Sequence, residues 1–279
     1  MELLSGQIDA GRLSVASGGS GDPILFIHGF GFCKFTWRHV CQALADRFTY
    51  YALDLPGSGS SPAPHGFEYS LENLSDVVSD FIIAKNLENL TVVGWSLGGG
   101  VALLSLLRRS DQLNRRVKAL CIIDGIAYPQ KFPFFVGLLR TPVFGPALAG
   151  VLPAQSWASA LLRHCYFDSS LITKEQIDEY GGHLRKKEVR HSLVQTARSI
   201  HPERAFEYIG RLNTIEVPSL LIWGREDRAV PLEIGQQLAT ELRGSSLKVI
   251  DRCGHMPQEE RPGEVIAAIE QFEIALGSG

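Results

Sequence analysis

The sequence predicts an α/β fold: a mostly parallel, doubly wound sheet between helices, carrying one inserted helical segment. Three observations predict it. Short apolar, β-branched runs alternate with helical patterns along most of the chain. Most of these runs are continuous rather than alternating, as in strands buried on both faces of a parallel sheet. The alternation stops once, after Asp124, and resumes at Val217-Pro218.

Taken in order, residues 3–16 read as an antiparallel hairpin at one sheet edge. The strand signals follow at 24–27 (ILFI), 49–53 (TYYAL), 90–93 (LTVV), 119–123 (ALCII), 219–223 (SLLIW) and 247–250 (LKVI). Helical patterns cover 36–46, 70–86, 97–109, 232–243 and 262–276, and Ser70 with Asn73 ahead of an apolar run resembles a capped start. Roughly ninety residues without a strand signal are too many for a simple connection. The expected organisation is therefore a core of residues 1–124 and 217–276, with a helical cap at 125–216.

With 279 residues, the chain is long enough for one α/β domain carrying such an insertion. At 45% hydrophobic and 20% charged residues it lies in the globular range, which excludes a disordered or collagen-like chain. A net charge of −3 gives no basic footprint for nucleic acid. The five cysteines (Cys33, Cys41, Cys121, Cys165, Cys253) are odd in number and contain no CxxC. That predicts free thiols, a reducing, cytoplasmic location, and no structural zinc. The N-terminus lacks a basic segment followed by an apolar run, so no signal peptide is expected. Residues 132–152 (FPFFVGLLRTPVFGPALAGVL) are long enough to cross a bilayer. Arg140 and three prolines interrupt them, and short apolar helices facing a pocket are expected instead.

Ligands and catalytic groups in doubly wound sheets lie beyond the carboxyl ends of the strands. After the third buried run stands Gly94-Trp95-Ser96-Leu97-Gly98, a G-x-S-x-G between a strand and a helix. The serine of such a turn is held in strained backbone above the sheet edge, at a helix N-terminus that favours developing negative charge. Ser96 is the expected nucleophile. After the first run comes His28-Gly29-Phe30-Gly31-Phe32. A tetrahedral acyl intermediate needs two N–H donors, and Phe30 and Leu97 are the expected pair. His28 is expected to fix the loop.

Asp227, in GREDRAVP, follows a late strand, and His255 follows the last one. The histidine would take the serine proton, with the carboxylate holding its tautomer. Three other carboxylates compete for the acid role. Glu226 is off the spacing, Asp251 shapes a turn, and Asp124, which also ends a buried run, is the second candidate.

HGFGF, DLPGSGSS at 54–61, GWSLGG, GREDRAVP and CGHMPQEERP together resemble the α/β-hydrolase superfamily, in its branch with a helical cap. The resemblance spans almost the whole core and implies the α/β-hydrolase fold and a Ser96, Asp227, His255 triad. Asp54 is expected to anchor its loop. Haloalkane dehalogenases and epoxide hydrolases of this superfamily carry an aspartate where this chain has Ser96, so their alkyl-enzyme chemistry is not expected. Carbon–carbon bond hydrolases share the triad but carry a glycine-richer loop than HGFGF.

The apolar cap residues Phe132, Phe134, Phe135, Val136, Leu138, Leu139, Val143 and Phe144 imply an apolar acyl or aromatic pocket, with ordinary packing explaining most of them. Cys33 is placed near that pocket, and the basic run 185–190 is read as a solvated helix face. The expectation is hydrolysis of a small-molecule apolar ester through acyl-Ser96, with no metal, cofactor or membrane span. The alternatives are C–C cleavage of vinylogous diketones and a slowly turning ligand receptor; a homodimer is left open.

Overall fold

The computed structural model describes residues 9–131, 133–201, 204 and 206–277. One seven-stranded sheet has the order β1-β3-β2-β4-β5-β6-β7. Its strands are β1 (Val15–Gly19), β2 (Asp22–Ile27), β3 (Phe48–Leu53), β4 (Leu90–Trp95), β5 (Val117–Ile123), β6 (Ser219–Gly224) and β7 (Ser245–Ile250). All neighbouring pairs are parallel except β1 with β3.

Every other strand read from the sequence is present, while the hairpin expected over residues 3–16 falls in good part outside the described residues. Residues 1–8 lie outside the described residues, and Ala10–Arg12 form a short 3-10 turn. Among the described residues the antiparallel edge is β1, paired through Val15↔Leu53 to β3 rather than to its sequence neighbour. The reason lies in β2, whose inner residues are fully buried and parallel on both sides, between β3 and β4. That requirement moves β1 out to the edge.

The continuous apolar runs have the cause the pattern implies. Ile24 and Phe26 join a core layer with Trp37, Leu44, Val265 and Ile269, while Leu25 and Ile27 join the opposite layer with Val78, Phe81, Val101 and Leu238. The first layer is covered by α1 (Arg38–Leu44), the second by α2 (Leu71–Ala84) and α3 (Leu97–Arg108), which runs on into α4 (Ser110–Leu113). Ser70 caps α2, its side chain accepting from the Asn73 N–H at 3.3 Å.

Between β5 and β6 the described residues contain helices and no strand: α5 (Phe134–Leu139), α6 (Phe144–Val151), α7 (Ala154–Cys165), α8 (Lys174–Leu184), α9 (Lys187–Ser199) and α10 (Phe206–Ile209). The chain returns to the core with α11 (Leu232–Glu241), α12 (Pro257–Glu260) and α13 (Pro262–Gly277). No helix among the described residues is long and apolar enough to cross a membrane. The stretch at 132–152 is broken into α5 and α6, as its prolines require.

The run at 185–190 is not simply a solvated face. It straddles the break between α8 and α9, where Val189 is buried. Lys186 donates to the Gly59 carbonyl at 3.1 Å, and Arg190 donates to the Leu152 carbonyl at 3.1 Å. These cations tie loop ends together, a role their charge alone does not reveal.

Candidate active site

Ser96 sits between β4 and α3 with φ +55° and ψ −117°. That strained conformation is held by two tight backbone approaches. A Cβ on Gly94 would lie 2.3 Å from the Gly98 carbonyl oxygen, and one on Gly98 would lie 2.3 Å from that of Ile27. Both positions admit only glycine, and the close approach of α3 to β2 follows from it.

The loop after β7 brings His255 to the serine. His255 Nε2 is 2.8 Å from Ser96 Oγ. Its Nδ1 is 2.7 Å from Asp227 Oδ2. Asp227 comes from the loop after β6, and its other oxygen accepts the N–H groups of Ala229 at 2.7 Å and Val230 at 2.9 Å. The carboxylate is thus fixed by its own turn, and it orients the ring so that Nδ1–H faces Asp227 and the Nε2 lone pair faces the serine hydroxyl. All three residues are buried.

Asp124 also reaches this cluster. It directly follows β5 in left-handed backbone, φ +44°, and is fully buried. One carboxyl oxygen accepts the Gly224 N–H at 2.9 Å. Polar atoms of Asp124, Asp227 and His255 all lie within 4.8 Å of one another. Burial, and then the charge of Asp227, push the Asp124 pKa well above the usual carboxylate range, which favours its neutral form. The second acid candidate is therefore at the site but does not hold the imidazole. The same trio is the one group of carboxylates and imidazole close enough to hold a cation among the described residues. Its imidazole Nδ1 and both Asp227 oxygens are already engaged in hydrogen bonds.

The remaining acids have other work. Glu226 accepts the Cys253 N–H at 2.9 Å, and exposed Asp251 pairs with Arg225. Asp54 accepts from the Lys34 N–H at 2.8 Å and the Ser60 N–H at 2.9 Å, anchoring its loop. His28 donates through Nδ1 to the Gly29 carbonyl at 2.8 Å and accepts the Leu55 N–H on Nε2 at 2.9 Å. Burial lowers its pKa, so it is a neutral brace between the loops after β2 and β3.

A Cβ on Gly29 would lie 3.0 Å from the Ser96 Cβ, so the loop bearing Phe30 abuts the serine. The N–H groups of Phe30 and Leu97 have no hydrogen-bond partner among the described residues. Both residues line an apolar cavity over Ser96, with Trp95, Phe135, Val136 and Leu161 among its walls. Of the apolar cap residues named from the sequence, Phe135 and Val136 line this cavity, Leu139 is packed in the core, and Phe134 and Val143 are exposed. Phe132 and the Phe144 side chain lie outside the described residues. Cys33 borders a neighbouring cleft instead, and Cys165 is the cysteine on the cavity wall. All five cysteines are free and buried.

Sequence reasoning missed the residues that fasten the His255 loop to the cap. Glu260, buried on α12, accepts the N–H groups of Gly254 at 2.9 Å, Asp168 at 2.9 Å and Phe167 at 3.1 Å. Glu259 beside it accepts from Gln176 and Tyr180 of α8 and pairs with Arg38 at 2.9 Å. The His255 N–H donates to the Cys165 carbonyl, and the Trp95 indole to the His255 carbonyl, both at 2.6 Å. In the sequence the two acids stand in MPQEERP, a short way beyond the histidine, and nothing there marks either as buried.

Fold and site together define a hydrolase, and the chain belongs to the alpha/beta hydrolase family, whose model matches residues 24–269. The uncharacterized hydrolase YugF of Bacillus subtilis is 30% identical over 89% of this chain and 89% of its own. A 2-hydroxy-6-oxo-2,4-heptadienoate hydrolase of Pseudomonas putida is 26% identical over 96% of this chain and 97% of its own. The solved meta-cleavage product hydrolase of Pseudomonas fluorescens superposes with a TM-score of 0.79 at 24% identity, over 95% of this chain and 96% of that one.

Proposed function

We propose that this chain is a serine hydrolase that cleaves carboxylic esters of small to medium apolar substrates through an acyl-Ser96 intermediate. The observation that carries this reading is the unbroken relay of hydrogen bonds from Ser96 through His255 to Asp227. Ser96 Oγ attacks the ester carbonyl as His255 Nε2 takes its proton. The oxyanion faces the N–H groups of Phe30 and Leu97, each worth about 3 kcal/mol of barrier. Collapse expels the alcohol, which receives the proton from His255. Water then attacks the acyl-serine by the same route and releases the acid, restoring Ser96. In this reading residues 125–216 form the cap and 1–124 with 217–276 the catalytic core.

A second reading, C–C hydrolysis with the same residues, is favoured by the dienoate hydrolase of Pseudomonas putida. Against it stands the cavity lining, which includes no arginine or lysine among the described residues to pair with a substrate carboxylate. The test is steady-state hydrolysis of aryl esters from acetyl to dodecanoyl. Turnover is expected, and Ser96→Ala is expected to lose about a millionfold in kcat. No turnover on any ester, with Ser96 still labelled by a phosphonate, would sink the ester reading.

A further inference from the structure

A helix on a protein surface normally turns a polar face to water. The cap helices α5 and α6 do not: neither Phe134–Leu139 nor Phe144–Val151 contains a charged residue. They lie against each other, since a Cβ on Gly145 would stand 2.2 Å from the Leu139 carbonyl oxygen. Their outer sides are apolar and open. On α5, Phe134 is 85% exposed, and Gly137, one turn on, is exposed too. Along α6, Val143, Pro146 and Gly150 follow at helical spacing and so share one face. Each of them is exposed, and Val151 beside them is 81% exposed. A Cβ added at Gly137 or Gly150 would meet no atom within 4 Å, so nothing among the described residues covers either helix there.

The rim of this face is cationic. Arg140 donates to the Ala197 carbonyl at 3.1 Å, Arg198 to the Thr141 and Pro142 carbonyls at 2.9 Å each, and Arg190 to the Leu152 carbonyl at 3.1 Å. These bonds hold three guanidinium groups beside the ends of α5 and α6. Residues 125–167 contain no Asp or Glu. Together with α9 they carry six Lys and Arg against the single acid Glu188, in a chain whose net charge is −3. We propose that this face of α5 and α6 docks on an anionic lipid surface, its apolar side chains entering the headgroup boundary and its arginines meeting lipid phosphates. Helices that lie on a membrane combine these two features, an apolar face and flanking Lys or Arg. Each cation near an anionic surface is worth about 1 kcal/mol. A second copy is a poorer occupant, because a two-fold interface sets a patch against itself and would oppose these arginines to one another. Phe135 and Val136 of the same α5 line the Ser96 cavity, so a docked chain would hold one cavity wall next to the lipid.

The test is co-sedimentation of the full chain with vesicles of phosphatidylcholine alone, and with vesicles in which about a third of the lipid is phosphatidylglycerol. Binding to the anionic vesicles is expected to be tighter by about tenfold or more, and to weaken as salt rises. The triple variant Phe134→Ser, Val143→Ser, Val151→Ser is expected to lose about tenfold or more of that binding. Its thermal midpoint is expected to stay, because all three side chains are exposed in the folded chain. Phe134→Ser alone is expected to show a smaller loss in the same direction, and it decides the matter if the triple variant is unstable. Absence of binding to the anionic vesicles, equal binding to both kinds, or binding unmoved by the substitutions overturns the proposal. A dimer that the triple variant abolishes and that vesicles do not dissociate, read by sedimentation velocity, gives the face to a second copy and overturns it too.

Discussion

Two buried aspartates meet at His255, and their different surroundings give them different jobs. Asp227 is surrounded by donors: two backbone N–H groups and the imidazole. Asp124 has one N–H and a charged neighbour, and burial and that charge raise its pKa. Asp227→Asn is therefore expected to cost about 10⁴ in kcat, because an amide holds the wrong tautomer. Asp124→Asn, which replaces a neutral acid by a neutral amide, is expected to cost less than about tenfold by the same logic. Steady-state rates of the two variants on one aryl ester decide it, and the reverse ranking would move the acid role to Asp124. The same assignment has a consequence for stability. Burial raises the Asp124 pKa on folding above its unfolded value of about 4. Folding then takes up a proton, and this group's contribution to stability falls as pH rises, by about 1.4 kcal/mol per unit until its folded pKa is reached. Urea unfolding at a series of pH values above about 4 is expected to show stability that falls less, or rises more, with pH in Asp124→Asn than in the wild type.

At the scale of elements, the short helix α12 matters more than its four residues indicate. Through Glu260 it joins the turn before His255 to the backbone just after α7, and through Glu259 it joins α8. This end of the cap is therefore built into the mounting of the histidine. Glu260→Ala would leave three N–H groups without their acceptor, each costing about 1–3 kcal/mol where it stays dry. The expected result is a lower unfolding midpoint together with a fall of about a hundredfold in kcat, since a displacement of about 1 Å at a reacting group has that scale. Denaturation and kinetics check it together, and a variant less stable but fully active would show that Glu260 supports the cap alone. The turn between β4 and α3 is comparably constrained. Gly98→Ala would drive its Cβ into the Ile27 carbonyl and displace the loop that carries Phe30.

At the scale of the molecule, the loops after the strands supply the reacting groups and part of the cavity wall, and the inserted helices supply the rest. Ser96, Asp227 and His255 follow β4, β6 and β7, whereas Phe135, Val136 and Leu161 come from α5 and α7. Chemistry and selectivity are thus separable by mutation. Val136→Trp narrows the cavity on its cap side without touching the relay. It is expected to shift the preferred aryl ester to a shorter acyl chain, at about ten- to two-hundredfold per excluded methylene. The acetyl-to-dodecanoyl series reads this directly, and an unchanged optimum would place the acyl chain elsewhere.

What the sequence determined by itself is local: strands buried on both faces, a glycine-flanked serine between strand and helix, and acids and a histidine just beyond later strands. Those features need only neighbouring residues to be recognised, because the backbone strain at Ser96 and the apolar runs are set within a few positions. The sequence ranks Asp227 ahead of Asp124 as the acid, and in the fold it is Asp227 that lies beside the His255 Nδ1. The tertiary structure decided everything that depends on distant partners. Position of β1 followed from the demand of β2 for two parallel neighbours, not from its own residues. The charge state of Asp124 followed from burial beside Asp227. Glu259 and Glu260 look like ordinary surface acids until folding brings α8 and the end of α7 against them.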